Sequence, residues 1–167
     1  MIMEQETLLS VLHQAMEIEV TGREFYLVTA AHTEDPQGKE EFLKLAREEE
    51  DHFLALQKSY EAIEGEQGVL WDPPDATTSA LAPFFAHALP ERAAKMNFEI
   101  SALSIGVMLE KNSFEFYAKM AIEVNDPQAQ AMFRDLEEWE KTHYHNLLQQ
   151  MELLKRDSWA LNRFAPF

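Results

Sequence analysis

The chain contains one unit twice. Residues 18–57 align without a gap on residues 109–148, at a separation of 91 positions; the matches include Glu19/Glu110, Glu24/Glu115, Phe25/Phe116, Tyr26/Tyr117, Phe42/Phe133, Leu45/Leu136, Glu49/Glu140, His52/His143 and Leu56/Leu147. Two copies of one surface pack most simply about a pseudo-twofold axis, each burying the same face. The middle of the unit says what it is. The tripeptide DPQ stands at 35–37 and again at 126–128. Asp before Pro marks a helix start: Asp35 and Asp126 can accept from the free first-turn amides, while Pro36 and Pro127 take the first helical position, where no donor is required. Each copy is therefore a helical hairpin, and helices joined by so short a turn run antiparallel.

The apolar spacing agrees with this reading. Phe42, Leu45 and Leu56 form an alternating three-and-four stripe with positions 49 and 52, as do Phe133, Leu136 and Leu147 with positions 140 and 143. Helices are expected over about 4–33, 37–64, 97–125 and 127–156. The Pro-rich stretch of about 65–96 between the copies reads as a long crossover, with one short helix near 79–88. The expected fold is an all-α four-helix bundle, one domain over residues 1–167.

The stripes are interrupted by charge. Glu49 and His52 are three residues apart and share the stripe face, which sets them apart from Glu48, Glu50 and Asp51 on the side read as solvated. Glu140 and His143 interrupt their own stripe in the same way. Glu19 and Glu110 interrupt the stripes of the first and third helices, each followed seven residues later by a tyrosine, Tyr26 and Tyr117. Four glutamates and two histidines thus point into one apolar bundle. An unpaired buried carboxylate costs several kcal/mol even after relaxation, so four together would raise their pKa values or break the fold unless cations lay among them. Two divalent ions balance the charge, and carboxylate oxygen with imidazole nitrogen suits Fe, Mn or Zn. Because Glu is so common here, one E-x-x-H is expected by chance; two, each on a core stripe and in register with the repeat, are not.

The motifs IEVTGREFY, EEEDH, LEKNSFEFY and EKTH follow one another in the order found in rubrerythrins, and over about residues 4–156 the chain resembles that family of ferritin-like di-iron carboxylate proteins in its stand-alone form. The resemblance implies a ferritin-like bundle with two iron ions. It makes Glu19 and Glu110 terminal ligands, Glu49 and Glu140 bridging carboxylates, and His52 and His143 one imidazole for each metal. Tyr26 and Tyr117 would hold ligand carboxylates by hydrogen bonds. It also implies reduction of peroxide or oxygen, a separate electron donor such as a rubredoxin, and a homodimer. Two departures bear on activity. Where rubrerythrins carry an additional glutamate one turn after the third-helix ligand, this chain has Ser113, mirrored by Gly22, so the site is expected to be symmetric and peroxidase chemistry is in question. The chain has no cysteine, so it cannot carry the family's rubredoxin domain.

Composition excludes other classes. With 30 acidic against 14 basic side chains, a formal net charge of −16, the field repels nucleic acid and anionic lipid and concentrates cations. The N-terminus lacks the basic start and apolar run of a signal peptide, and no apolar stretch is long enough to span a bilayer, so a cytoplasmic location is expected. No phosphate loop or nucleophile elbow occurs. His145, two residues from His143, projects to the opposite face; His13, His32 and His87 have no matched partners and read as ordinary surface or half-buried residues. Trp71, Trp139, Trp159 and Phe164 read as cover for a core or a subunit contact. Beside the oxidoreductase stand a non-catalytic iron or divalent-metal store, a zinc-stabilised scaffold and a di-manganese catalase.

Overall fold

A computed structural model of the chain describes residues 5–74 and 93–163. Four helices account for nearly all of it: α1 (Gln5–His32), α2 (Pro36–Glu64), α3 (Ala93–Glu123) and α4 (Pro127–Arg163), with no strand among the described residues. Both DPQ turns work as caps. Asp35, in extended conformation, accepts from the Gly38 amide at 2.8 Å, and Asp126 accepts from the amides of Gln128 and Ala129 at 2.8 and 2.9 Å.

Two helix limits differ from the sequence expectation. α3 begins at Ala93 rather than near 97, and α4 runs on to Arg163 rather than ending near 156. The residues after 156 contain no Gly or Pro before Pro166, so nothing stops the helix although its apolar stripe has faded; Trp159 is 70% exposed. The short helix expected near 79–88, His87 and Phe164 lie outside the described residues. His13, His32 and His145 are exposed, as expected.

The core consists of two matching halves. One holds Leu12, Leu56, Tyr117, Phe133 and Leu136; the other holds Leu103, Leu147, Tyr26, Phe42 and Leu45, the same positions displaced by one repeat. Tyr26 stacks on Phe42 at 6.3 Å and Tyr117 on Phe133 at 6.1 Å, both at 20°. Reciprocal contacts of Ala15 and Glu19 with Tyr117, and of Tyr26 with Gly106 and Glu110, show that α1 and α3 are antiparallel; contacts of Glu49 with His143 and His52 with Glu140 show the same for α2 and α4. The start of the crossover is pinned across the bundle. Ser59 donates to the Leu70 carbonyl, Val69 is buried, and the Trp71 indole donates to Asp135 at 2.7 Å. No described helix is long and apolar enough to cross a membrane.

Candidate metal centre

All six residues singled out by the repeat lie in the layer between the two apolar halves. Glu19, Glu49, Glu110, Glu140, His52 and His143 are at most 5% exposed. They form two overlapping groups whose ligand atoms lie within 4.8 Å of one another: Glu19, Glu49, His52 and Glu140 in one, Glu49, Glu110, Glu140 and His143 in the other. Glu49 and Glu140 belong to both.

The individual atoms show why. His52 Nδ1 lies 3.1 Å from Glu140 Oε1, 3.3 Å from Glu19 Oε2 and 4.0 Å from Glu49 Oε2. His143 Nδ1 lies 3.4 Å from Glu49 Oε1, 3.6 Å from Glu140 Oε2 and 3.8 Å from Glu110 Oε2. Each of the two shared carboxylates thus turns one oxygen to each histidine. Ligand atoms about 2.1 Å from an ion are separated by about 3.0 Å at right angles and about 3.4 Å at tetrahedral angles. The observed edges match or slightly exceed those values. Glu49 Oε1, both oxygens of Glu140 and His143 Nδ1 are sealed from solvent and lack a partner with hydrogen-bond geometry among the described residues. Buried acceptors are normally satisfied, so atoms of this kind converging on one space fit a cation between them.

The tyrosines pair across the repeat. Tyr26 of the first copy donates to Glu110 of the second, and Tyr117 donates to Glu19. Burial, and then the charge of Glu110 or Glu19, pushes both phenols well above their ordinary value, so they remain donors. Without metal the cluster retains protons. Burial, then the fields of Glu140, Glu110 and Glu19, raises Glu49 well above the carboxylate range, and burial followed by Glu140 pushes Glu110 up to about 8. Burial works the same way on Glu140, but contacts with Glu110, His143 and His52 outweigh it and hold that carboxyl well below its ordinary value. Burial would lower both imidazoles, yet Glu140 and Glu19 raise His52 to about 10, and Glu110 and Glu140 raise His143 well above its ordinary value.

One expectation is corrected. Glu48 does not stand on a solvated face: it is half-buried, and the Nε2–H of His143 donates to its Oε2 at 2.8 Å. The signal was present, since Glu48 is four residues before His52 and so shares its face. Glu50 is half-buried and paired with Arg23, whereas Asp51 is exposed. Trp139 covers the centre from the other side, stacked on His52 at 4.9 Å and 9°, with Trp71 against it at 6.0 Å. Ser113 donates to the Leu109 carbonyl of its own helix at 3.0 Å. Between α1 and α3 a cavity of about 310 Å³, lined by Gln14, Thr21, Gly22 and Asn112, reaches Glu49 and Glu110.

The rubrerythrin family profile matches residues 10–151. The chain belongs to the rubrerythrin family. A hypothetical protein from Pyrococcus furiosus with a solved structure shares the fold, with 28% identity over 89% of this chain and 90% of that one and a TM-score of 0.67. No functionally curated protein matches. Membership of the rubrerythrins implies di-metal binding, and this member has buried carboxylate and histidine groups that could hold metal.

Proposed function

We propose that the protein is a di-iron carboxylate oxidoreductase that reduces peroxide or oxygen, or oxidises Fe(II), at a site of four glutamates and two histidines. Glu19 and His52 would hold one ion, Glu110 and His143 the other, with Glu49 and Glu140 bridging. The carrying observation is that Glu49 and Glu140 each direct one oxygen to each histidine from within an apolar bundle. A bound pair of irons supplies two electrons at once, the number needed to reduce peroxide to water.

The chain's own residues define the conditions. Tyr26 and Tyr117 fix the outer carboxylates by donating to Glu110 and Glu19. The aromatic layer of Trp139 and Trp71 covers the His52 side, while the cavity between α1 and α3 supports entry of a small oxidant or Fe(II) beside Glu49. The net charge of −16 favours cation arrival. With no cysteine in the chain, repeated turnover needs a separate donor, a rubredoxin being the kind the family uses.

The test is to load the protein with Fe(II) without oxygen, mix it with peroxide or oxygen, and follow ferric absorption. Saturation at two irons per chain, with oxidation complete within minutes, is expected. Absence of oxidation on that timescale overturns the enzyme reading, and uptake far beyond two irons per chain shows a storage protein instead. Strong stabilisation by zinc without ferrous oxidation would identify a structural site.

A further inference from the structure

The two halves of the centre match in their candidate ligands and differ just outside them. Position 48 carries Glu in the first copy, whereas the repeat-related position 139 carries Trp. Each meets the histidine of the opposite hairpin: Glu48 Oε2 accepts from His143 Nε2–H at 2.8 Å, while the Trp139 ring lies parallel to His52 at 4.9 Å. His143 Nδ1 faces Glu49, Glu110 and Glu140, so the imidazole is gripped from behind by a carboxylate while its other nitrogen looks into the cluster. The Glu48 side chain is 21% exposed and keeps some hydration, whereas the acids in front of the ring are buried.

We propose that Glu48 is a positioning residue for His143 and makes the two metal positions unequal, the His143 position binding its ion the more tightly. This rests on the ligand assignment given under Proposed function. A carboxylate accepting from the far N–H of an imidazole fixes the tautomer with its lone pair toward the metal, locks the ring orientation and raises the basicity of the donor nitrogen. An indole stacked on His52 fixes the plane of the ring but supplies no negative acceptor, and its own position is set by Trp71, which is anchored to Asp135. Among the described residues, one ligand ring is therefore both oriented and polarised, and the other is oriented only. The Gly22/Ser113 difference does not supply this inequality toward His143, since the Ser113 hydroxyl is spent on the Leu109 carbonyl.

The experiment titrates the full-length, metal-free protein with Mn(II) alone, against a competing chelator and without oxygen, and records the Mn(II) paramagnetic resonance at each step. The wild type should bind two ions in two resolved steps, and at one equivalent should show the signal of an isolated ion rather than of a coupled pair. Glu48→Gln, of the same shape, should weaken the tighter step by about 10- to 100-fold and leave the weaker within about threefold, so that the steps merge and the isolated-ion signal declines. A placement control uses single-site backgrounds. With His143→Ala, adding Glu48→Gln should leave the remaining site unchanged; with His52→Ala, it should weaken the remaining site by the full factor. Equal weakening of both steps, no weakening, or sensitivity in the His143→Ala background overturns the proposal for Glu48 while leaving the ligand set standing. Failure of the wild type to bind Mn(II) at this cluster overturns the ligand assignment itself.

Discussion

The crossed tyrosines give a prediction that periodicity alone would misassign. Tyr26 lies on the same helix and face as Glu19, yet its hydroxyl donates to Glu110. Replacing Tyr26 by Phe keeps the buried ring and its stacking on Phe42, and removes one hydrogen bond. A net hydrogen bond contributes about 0.5–1.5 kcal/mol, and about 1.5–3 kcal/mol when one partner is charged. In the metal-free protein the Glu110 carboxyl sits at about 8, whereas the Tyr26 phenol lies well above its ordinary value. At pH 7 Glu110 is therefore mostly protonated and the smaller range applies; at pH 9 it is ionised while Tyr26 still donates, and the larger range applies. The assay is urea denaturation of metal-free protein in a double-mutant cycle with Glu110→Gln, and in parallel with Glu19→Gln. The Tyr26–Glu110 coupling should be about 1 kcal/mol at pH 7 and grow toward about 2 kcal/mol at pH 9, while Tyr26 and Glu19 combine additively to within about 0.5 kcal/mol. A larger coupling to Glu19 than to Glu110, or one that shrinks as pH rises, would refute the crossed pairing.

Two further outcomes follow from the same cluster. Glu110 and His52 both have folded values raised above their ordinary ones, to about 8 from 4.5 and to about 10 from 6.5. Their contributions are complete below the ordinary values and vanish as pH rises through the folded ones, so metal-free protein should lose stability from neutral pH to about pH 10. Loading with metal replaces the retained protons and should flatten that decline, while apparent metal affinity climbs with pH; thermal melts with and without chelator check both, and a metal-free protein that gains stability between pH 7 and 9 contradicts the reading. At Gly22 an added Cβ would stand 3.3 Å from Glu49 Cδ and 3.4 Å from its Oε2, tight enough to move the carboxylate by a few tenths of an ångström. Gly22→Ala should leave metal-free stability within about 1 kcal/mol, helix propensity offsetting the crowding, yet weaken metal binding about tenfold; unchanged binding by the same titration would show that Glu49 needs no such close approach.

How much of this was legible in the sequence depended on whether local spacing carries the information. The caps at Asp35 and Asp126 and the stripes through positions 49, 52, 140 and 143 are properties of one helix at a time, and the structure reproduces them. The far end of α4 was not legible from its stripe, because a helix without a breaker continues after it has stopped burying anything. Glu48 is a different case: the face it shares with His52 is visible in the spacing, but what draws its carboxylate inward is His143 on α4, a partner 95 residues away.

The tyrosine pairing stands between these cases and could have been deduced. Seven residues of helix rise about 10.5 Å, more than a tyrosine can span back to a glutamate on its own helix. An antiparallel neighbour related by the repeat brings its own glutamate to the height of that tyrosine, so Tyr26 must meet Glu110 if Tyr117 meets Glu19. The same logic applies to the whole chain. A duplicated sequence carries its own comparison: positions that match in both copies, such as Glu19/Glu110 and Tyr26/Tyr117, are candidates for what each half of the centre shares, and positions that differ beside them make the halves unequal. Two such differences, Glu48/Trp139 and Gly22/Ser113, border the cluster: Glu48 and Trp139 contact the two histidines and Gly22 leaves room for the Glu49 carboxylate, while Ser113 bonds within its own helix. The duplication thus repeats the candidate ligands in both halves, and under the proposed assignment any inequality between the two metal positions has to come from side chains that differ between the copies.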